Sequence, residues 1–331
     1  MANQSYLDWI LAHPFQVMTG KGGVGKSSLS AALGLVLARH GKRTVIIETD
    51  VKERMSQLFQ VPPIGYREVE VFPNLFAKNV DPDSSMEEYV LRFVRLKTVY
   101  DAIFNRGFLR HWVKGMPGFR EFVVLGKIWD MGQQMEGRRP KYDVFIIDSP
   151  ATGHGLALWA LPRQTQNAVR VGPLAKHAGL MADYFTQPGR ALYHVVTLAE
   201  EMPYNETVEL LAKMDGEIRL PRGMLAVNAV HPPAVRPELT GLLQEINDST
   251  EGVKGVAELV GGPDLARSVL SSAASQQIRA DLNRQYVDAY RKLSRATLEL
   301  PYIYSRTYDK TTIEFLSHEL EKRLKDMEAP S

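Results

Sequence analysis

Gly20-Lys21-Gly22-Gly23-Val24-Gly25-Lys26-Ser27, followed by Ser28, constrains this chain more than any other stretch. It fits G-x-x-x-x-G-K-[ST], the pattern of a loop that cradles phosphates. Phe15 to Thr19, just before it, reads as a short buried strand. Ser28 to His40, just after it, carries apolar side chains at helical spacing (Leu29, Ala32, Leu33, Leu35, Val36, Leu37). A loop between a strand and a helix is the context this motif needs. Its glycines let successive backbone N–H groups turn inward on an anion, and the helix N-terminus adds partial positive charge. Lys26 is then expected to reach the β- and γ-phosphates, and the Ser27 hydroxyl to hold Mg²⁺.

The chain has 331 residues, 44% hydrophobic and 24% charged, with a net charge of +2. That balance gives no argument for a polyanion or a membrane surface as partner. The sequence has no cysteine, which excludes disulfides, iron–sulfur clusters and thiolate metal sites within it and fits a reducing cytoplasm. Met1 to His13 lacks a basic n-region and Asp8 breaks its apolar stretch, so a short packed amphipathic helix is expected there. No run of about 18 apolar residues occurs, so no transmembrane segment is expected.

Strands are expected at Thr44–Thr49, Asn74–Asp81, Tyr142–Ile147, Ala191–Thr197, Gly223–Val227 and Leu298–Tyr304, with helices at Lys52–Phe59, Tyr204–Met214 and Thr311–Met327. Residues 82–136 and about 237–297 are bulky and helical in pattern. They read as helical insertions in a single domain spanning 1–331. The alternation of strand and helix argues for an α/β fold: a P-loop NTPase with a mostly parallel sheet, helices on both faces and a helical insertion subdomain.

Ligands of such sheets bind beyond the carboxyl ends of the strands. Asp50, Asp148 and Asn228 each follow an apolar strand there. Asp148 closes Val-Phe-Ile-Ile-Asp and is expected to organise Mg²⁺, through its waters, with Ser27. Asp50 is a candidate to orient a water for in-line attack, set against a plainer role as a helix cap. Asn228 is a candidate base reader, set against a turn residue before Pro232-Pro233. It is followed by Ala229-Val230-His231 rather than a guanine-reading sequence, which favours adenine.

The loop with its leading lysine resembles the deviant Walker A class of P-loop ATPases, which includes MinD/ParA, the nitrogenase iron protein and the arsenite-pump ATPases. Asp148-Ser149-Pro150-Ala151-Thr152-Gly153-His154, with Leu161-Pro162, is similar to the D-[TS]-x-P-T-G-H segment of the arsenite-pump group and of its relatives that target tail-anchored membrane proteins. Here the proline stands one place early. Glu206-Thr207, Val227-Asn228, Asn74 to Asp81 and Met116-Pro117-Gly118 with Glu121 also match that group. The resemblance implies a dimeric ATPase that closes on ATP and relaxes on hydrolysis. It implies catalytic roles for Asp50, Lys26 and Lys21, the last acting on a partner's phosphates. It further implies Asn228 as the adenine contact, with Pro301 and the residues after it packing on the base.

Two departures stand out. The segment usually written D-P-A-[HS] is Asp50-Val51-Lys52-Glu53 here, and the thiolates used for metalloid or for a shared zinc are missing. Three functions follow as expectations. One is a Mg²⁺–ATP switch, as homodimer or heterodimer with a related ATPase, that handles a hydrophobic or membrane-protein client. The second is a MinD/ParA-type positioning ATPase, and the third a weakly hydrolysing subunit of a heterodimer. No nucleic acid partner is expected, because the C-terminal helix mixes both signs of charge.

Overall fold

The computed structural model describes residues 5–50, 52–93, 118–150, 158–162, 164–165, 173–218 and 220–329, without the side chains of 89–93 and 173–174. Eight strands form one sheet: β1 Phe15–Thr19, β2 Thr44–Glu48, β3 Val69–Phe72, β4 Leu75–Asn79, β5 Val144–Asp148, β6 Ala191–Leu198, β7 Arg222–Val230 and β8 Thr297–Pro301. Their spatial order is β8-β7-β6-β1-β5-β2-β4-β3. Every pairing is parallel except that of β3 on β4 at the edge. The α/β, mostly parallel P-loop architecture read from the sequence is therefore present. β3 is an addition: Glu68-Val69-Glu70-Val71 does alternate, but the strand is only four residues long, at the sheet edge. The last strand stops at Pro301 rather than Tyr304.

The helices are α1 Tyr6–Leu11, α2 Lys26–Arg39, α3 Met55–Phe59, α4 Pro82–Phe93, α5 Phe119–Met131, α6 Pro173–Thr186, α7 Glu201–Lys213, α8 Thr240–Asp248, α9 Thr250–Val260, α10 Pro263–Leu293 and α11 Lys310–Asp326. α6 was not anticipated. α3 starts three residues later than the sequence pattern suggested, because the Glu48 carboxylate takes the Arg54 and Met55 N–H groups and sets the first turn there. Residues 94–117 and 151–157, which include much of the aromatic helical stretch and the Thr152-Gly153-His154 motif, lie outside the described residues.

The central strands alternate between two cores, one on each face. Met18, Ile46, Ile146, Leu192 and Ala226 join one cluster with α1, α2, α3 and α11. Val17, Val45, Ile147, Val195 and Val227 join the other with α5, α6, α7 and α10. Burial on both sides is why these strands read as unbroken apolar runs. α2 is buried nearly all round, since α11 lays Ile313, Leu316, Leu320 and Leu324 over its outer side. Among the described residues no helix is long and apolar enough to cross a membrane.

One buried polar network ties α1 to the sheet. Gln16 Nε2 donates to the carbonyls of Ile10 (3.0 Å) and His13 (2.6 Å). Its Oε1 receives His194 Nε2–H at 2.6 Å, while His194 Nδ1 accepts the Met224 N–H at 3.0 Å. That pairing fixes a neutral imidazole, and full burial lowers its pKa from 6.5 to about 3. Between those values the unfolded chain takes up a proton that the native state refuses. The stabilisation is therefore complete above pH 6.5 and falls by about 1.4 kcal/mol per unit as the pH drops towards 3. In His194→Gln, the denaturant midpoint should lose less between pH 7 and pH 5 than it does in the wild type. Parallel curves for the two proteins would overturn this.

Candidate nucleotide site

The loop Gly20–Gly25 leaves β1 and wraps against the ends of the neighbouring strands. Gly20, Gly23 and Gly25 have φ of 143°, 84° and 96°, a region that L-residues with a Cβ rarely enter. At two of them contact is as restrictive as conformation. A Cβ on Gly20 would lie 2.2 Å from the Val196 carbonyl oxygen, and one on Gly25 would lie 2.2 Å from Asn228 Nδ2. Asn228 Nδ2 itself donates to the Val24 carbonyl at 2.9 Å. At Gly23 nothing stands within 4 Å of the built Cβ, so its open side faces the cleft.

That cleft, about 560 Å³, opens over the carboxyl ends of the strands. Its floor is Gly22 to Ser28. One wall holds Asp50, Lys52, Arg54, Asp148, Ser149 and Pro150; the opposite end holds Asn228, Ala229, His231, Asn283, Tyr302 and Tyr308. The predicted residues Gly22, Gly23, Val24, Gly25, Lys26, Ser27, Ser28, Asp50, Asp148 and Asn228 thus meet around one space. Gly20, Lys21 and Pro301 do not line it. Gly20 lies behind the loop against β6, and Pro301 closes β8 one residue before Tyr302. The Lys21 side chain is half exposed and paired with Glu206 on α7 of its own chain.

Lys26 is buried, and its Nζ donates to the Lys21 carbonyl at 2.8 Å. Burial lowers its pKa, while Asp148 and Asp50 oppose that shift. Asp148 is also buried. Burial raises its pKa, against hydrogen bonds from Ser27 and Ser30 and the charge of Lys26. Ser30 Oγ stands 3.3 Å from Asp148 Oδ1. Ser149 Oγ is buried in the cleft wall without a hydrogen-bond partner. This donor set is all oxygen: one carboxylate and hydroxyls. Among the described residues no group of three or more His, Cys, Asp or Glu could hold a metal by itself. The arrangement suits Mg²⁺, which keeps several waters and shares phosphate oxygens rather than filling an all-protein cage.

Sequence reasoning missed several members of the site. Glu48 was read only as a strand residue, although a charged side chain in a buried strand is itself a signal. Its Oε1 accepts the N–H groups of Arg54 (2.5 Å) and Met55 (3.2 Å), and its Oε2 is buried and unpartnered. Burial first, and Asp148 and Glu53 in addition, push its pKa up to about 7. At the far end the residues after Pro301 were expected, but the part of His231 in an aromatic wall with them was missed. His231 and Tyr302 stack 4.3 Å apart at 17°, and Tyr304 meets Tyr302 edge-on. Asn283 on α10 accepts the His231 N–H at 2.8 Å and fixes that ring's backbone.

A model of the anion-transporting ATPase family matches residues 13–182, just over half of the chain. The chain belongs to that family. It is similar to the ATPase BagA of Mycobacterium tuberculosis, 28% identical over 67% of this chain and 66% of that protein. It is also similar to the ATPase ASNA1 homolog 1 of Paramecium tetraurelia, 30% identical over 49% of this chain and 45% of that protein. The chain thus spans from under half to about two thirds of the length of these relatives. The family match ends within α6, so the aromatic wall and α7 to α11 lie beyond it.

Gly25→Ala should both strain the loop and strike Asn228. It should lower stability by more than about 1 kcal/mol and weaken nucleotide binding. Adding Asn228→Ala should return part of the stability by removing the clash, though not the φ strain. Calorimetric melting of the two variants checks this; an equal or larger loss in the double variant would remove the steric account.

Proposed function

We propose that this chain is a cytoplasmic Mg²⁺–ATP-dependent switch. It closes as a dimer, with itself or a related ATPase, hydrolyses ATP and acts on a protein client. The observation that carries this reading is the meeting of Lys26 and Ser27, on the floor of the cleft, with Asp148 on its wall, beside glycines whose positive φ suits a loop with inward amides. The loop N–H groups and the α2 N-terminus would take the β-phosphate. Lys26, whose ammonium donates to the Lys21 carbonyl here, would reach between the β- and γ-phosphates. Ser27 and Asp148 would hold Mg²⁺ with phosphate oxygens and water. When bound, the metal supplies charge that offsets the phosphates as the γ-phosphoryl leaves. Asp50, at the mouth of the same wall, would orient the attacking water.

The far end of the cleft suits a purine. Asn228 stands at the rim to meet the edge of adenine, and the exposed faces of Tyr302 and Tyr308 offer a stacking surface beyond Pro301. Lys21 would serve a partner's phosphates after leaving Glu206, so dimer closure would exchange one ion pair for another. The sequence has no cysteine, so a metalloid cargo held by thiolates does not fit. A protein client fits better, and the amphipathic α4 and α5 that flank residues 94–117 are the candidate client-binding insertion. The positioning-ATPase alternative finds less support. It needs a membrane-binding amphipathic tail or a basic DNA-binding surface; the apolar side of α11 is packed on α2, and the net charge is only +2.

Isothermal titration with Mg²⁺ should show ATP uptake by the wild-type chain and its loss in Lys26→Ala. Asp50→Asn should still bind ATP, while phosphate release falls about 100-fold or more. Equal idleness of wild type and Asp50→Asn, with ATP still bound, would instead make the chain a nucleotide-sensing subunit. Tyr302→Ala should weaken ATP binding about 5- to 150-fold, the range expected for one stacked base. Light scattering should show a larger particle with ATP than with ADP. If Lys21 acts in trans, Lys21→Ala should abolish that difference while each chain still binds nucleotide.

A further inference from the structure

The departure from D-P-A-[HS] after Asp50 is matched by an unusual set of ties around it. Behind the segment lies Glu48, 1% exposed, whose Oε1 holds the Arg54 and Met55 N–H groups at 2.5 and 3.2 Å. Ahead of it Glu53 holds the next turn, accepting the Ile64 N–H on Oε1 at 2.7 Å and the Gly65 N–H on Oε2 at 3.1 Å. The Gly65 carbonyl in turn takes the Asn79 N–H at 2.9 Å. Asn79 Nδ2 donates to the Asp50 carbonyl at 3.2 Å, which closes the circuit. Thr49 is fixed from the other side, its hydroxyl donating to the Asp148 carbonyl at 3.0 Å.

Hydrogen bonds from backbone N–H to a carboxylate are among the stronger ones. A buried carboxylate with one oxygen left without a partner is costly unless something else selects it. Neither glutamate belongs to the floor of the cleft, yet both grip the segment that carries Asp50, Lys52 and Arg54 to its wall. We propose that Glu48 and Glu53 form a two-carboxylate clamp that sets the position of Asp50, with Glu48 as its principal positioning residue. Of the two carboxylates, Glu53 is itself a departure from the family pattern, and Glu48 lies just before the segment. The clamp acts on the hydrolytic step and leaves the phosphate cradle alone. The proposal rests on the ATPase reading above for its kinetic consequence, but its geometric content can be tested separately.

Steady-state phosphate release and ATP titration on the full chain are the first test. Glu48→Ala should lower kcat at least 10-fold while the KM for ATP changes less than 3-fold. Glu48→Gln, which keeps an acceptor oxygen for the two N–H groups, should recover most of that loss. Glu53→Ala should show a smaller fall in kcat with the same unchanged KM. A general loss of structure would move KM and the melting temperature together. That pattern, or an unchanged kcat in folded Glu48→Ala, overturns the proposal. Should the wild type bind ATP but release no phosphate, the hydrolysis reading fails on its own. Hydrogen exchange then decides the clamp: lost protection at Arg54 and Met55 in Glu48→Ala supports it, and unchanged protection overturns it.

Discussion

The close approach of the loop Gly20–Gly25 to the ends of β6 and β7 is the constraint on which the site depends. The Val196 carbonyl occupies the place where a side chain on Gly20 would begin, and the Asn228 amide does the same at Gly25. The loop is therefore shaped by its neighbours as well as by its own glycines. Asn228 also donates to the Val24 carbonyl, so β7 carries a residue that reaches both the loop and the far end of the cleft. A parallel sheet makes this possible because all its strands but the edge one deliver their carboxyl ends to the same side. The glycine-rich loop, the Asp148 carboxylate and the aromatic wall are then parts of one rim.

Electrostatics at that rim pull in one direction. Burial lowers the pKa of Lys26 and raises those of Asp148 and Glu48. Each group is disfavoured as an ion: Lys26 and Asp148 relieve one another, Ser27 and Ser30 also relieve Asp148, and the Arg54 and Met55 N–H groups relieve Glu48. The loop amides and Lys26 would meet an incoming triphosphate, and Asp148 its cation, so the ligand would complete a charge arrangement that the protein alone leaves under-compensated. The exposed Lys21 differs. It forms its ion pair with Glu206 at the surface, where water weakens the attraction, and exchange of that pair for a phosphate partner would cost little.

Much of this was legible in the chain because local pattern and global role coincide there. The loop, its flanking strand and helix, and the strand-end residues Asp50, Asp148 and Asn228 all announce themselves within a few residues. What stayed hidden depends on distance along the chain. Glu206 is 185 residues from Lys21. The stacked pair joins His231, just after β7, to Tyr302, just after β8, with three helices between them. β3 is a four-residue antiparallel edge strand, and its alternation is too brief to stand out. Glu48 hid for a different reason: its neighbours made it look like one more strand residue, and only the fold shows that its carboxylate starts α3.

The helix behind the loop links the far end of the molecule to this chemistry. α2 is apolar nearly all round, and the sheet covers one side of it and α11 the other. Its C-terminal end is fixed too: Arg39 Nη1 donates to Ser317 Oγ at 2.8 Å, and His40 meets Glu321 at 3.0 Å. The first residues of that helix are Lys26 and Ser27. A helix clamped along both flanks and at its tail cannot shift its first turn without repacking a core, since packed interiors yield in discrete steps rather than smoothly. The phosphate cradle is thus the fixed part of the site. The stretch that bears Asp50 is held in another way, by the Asn79 amide on the Asp50 carbonyl and by the Glu48 carboxylate on the Arg54 and Met55 N–H groups.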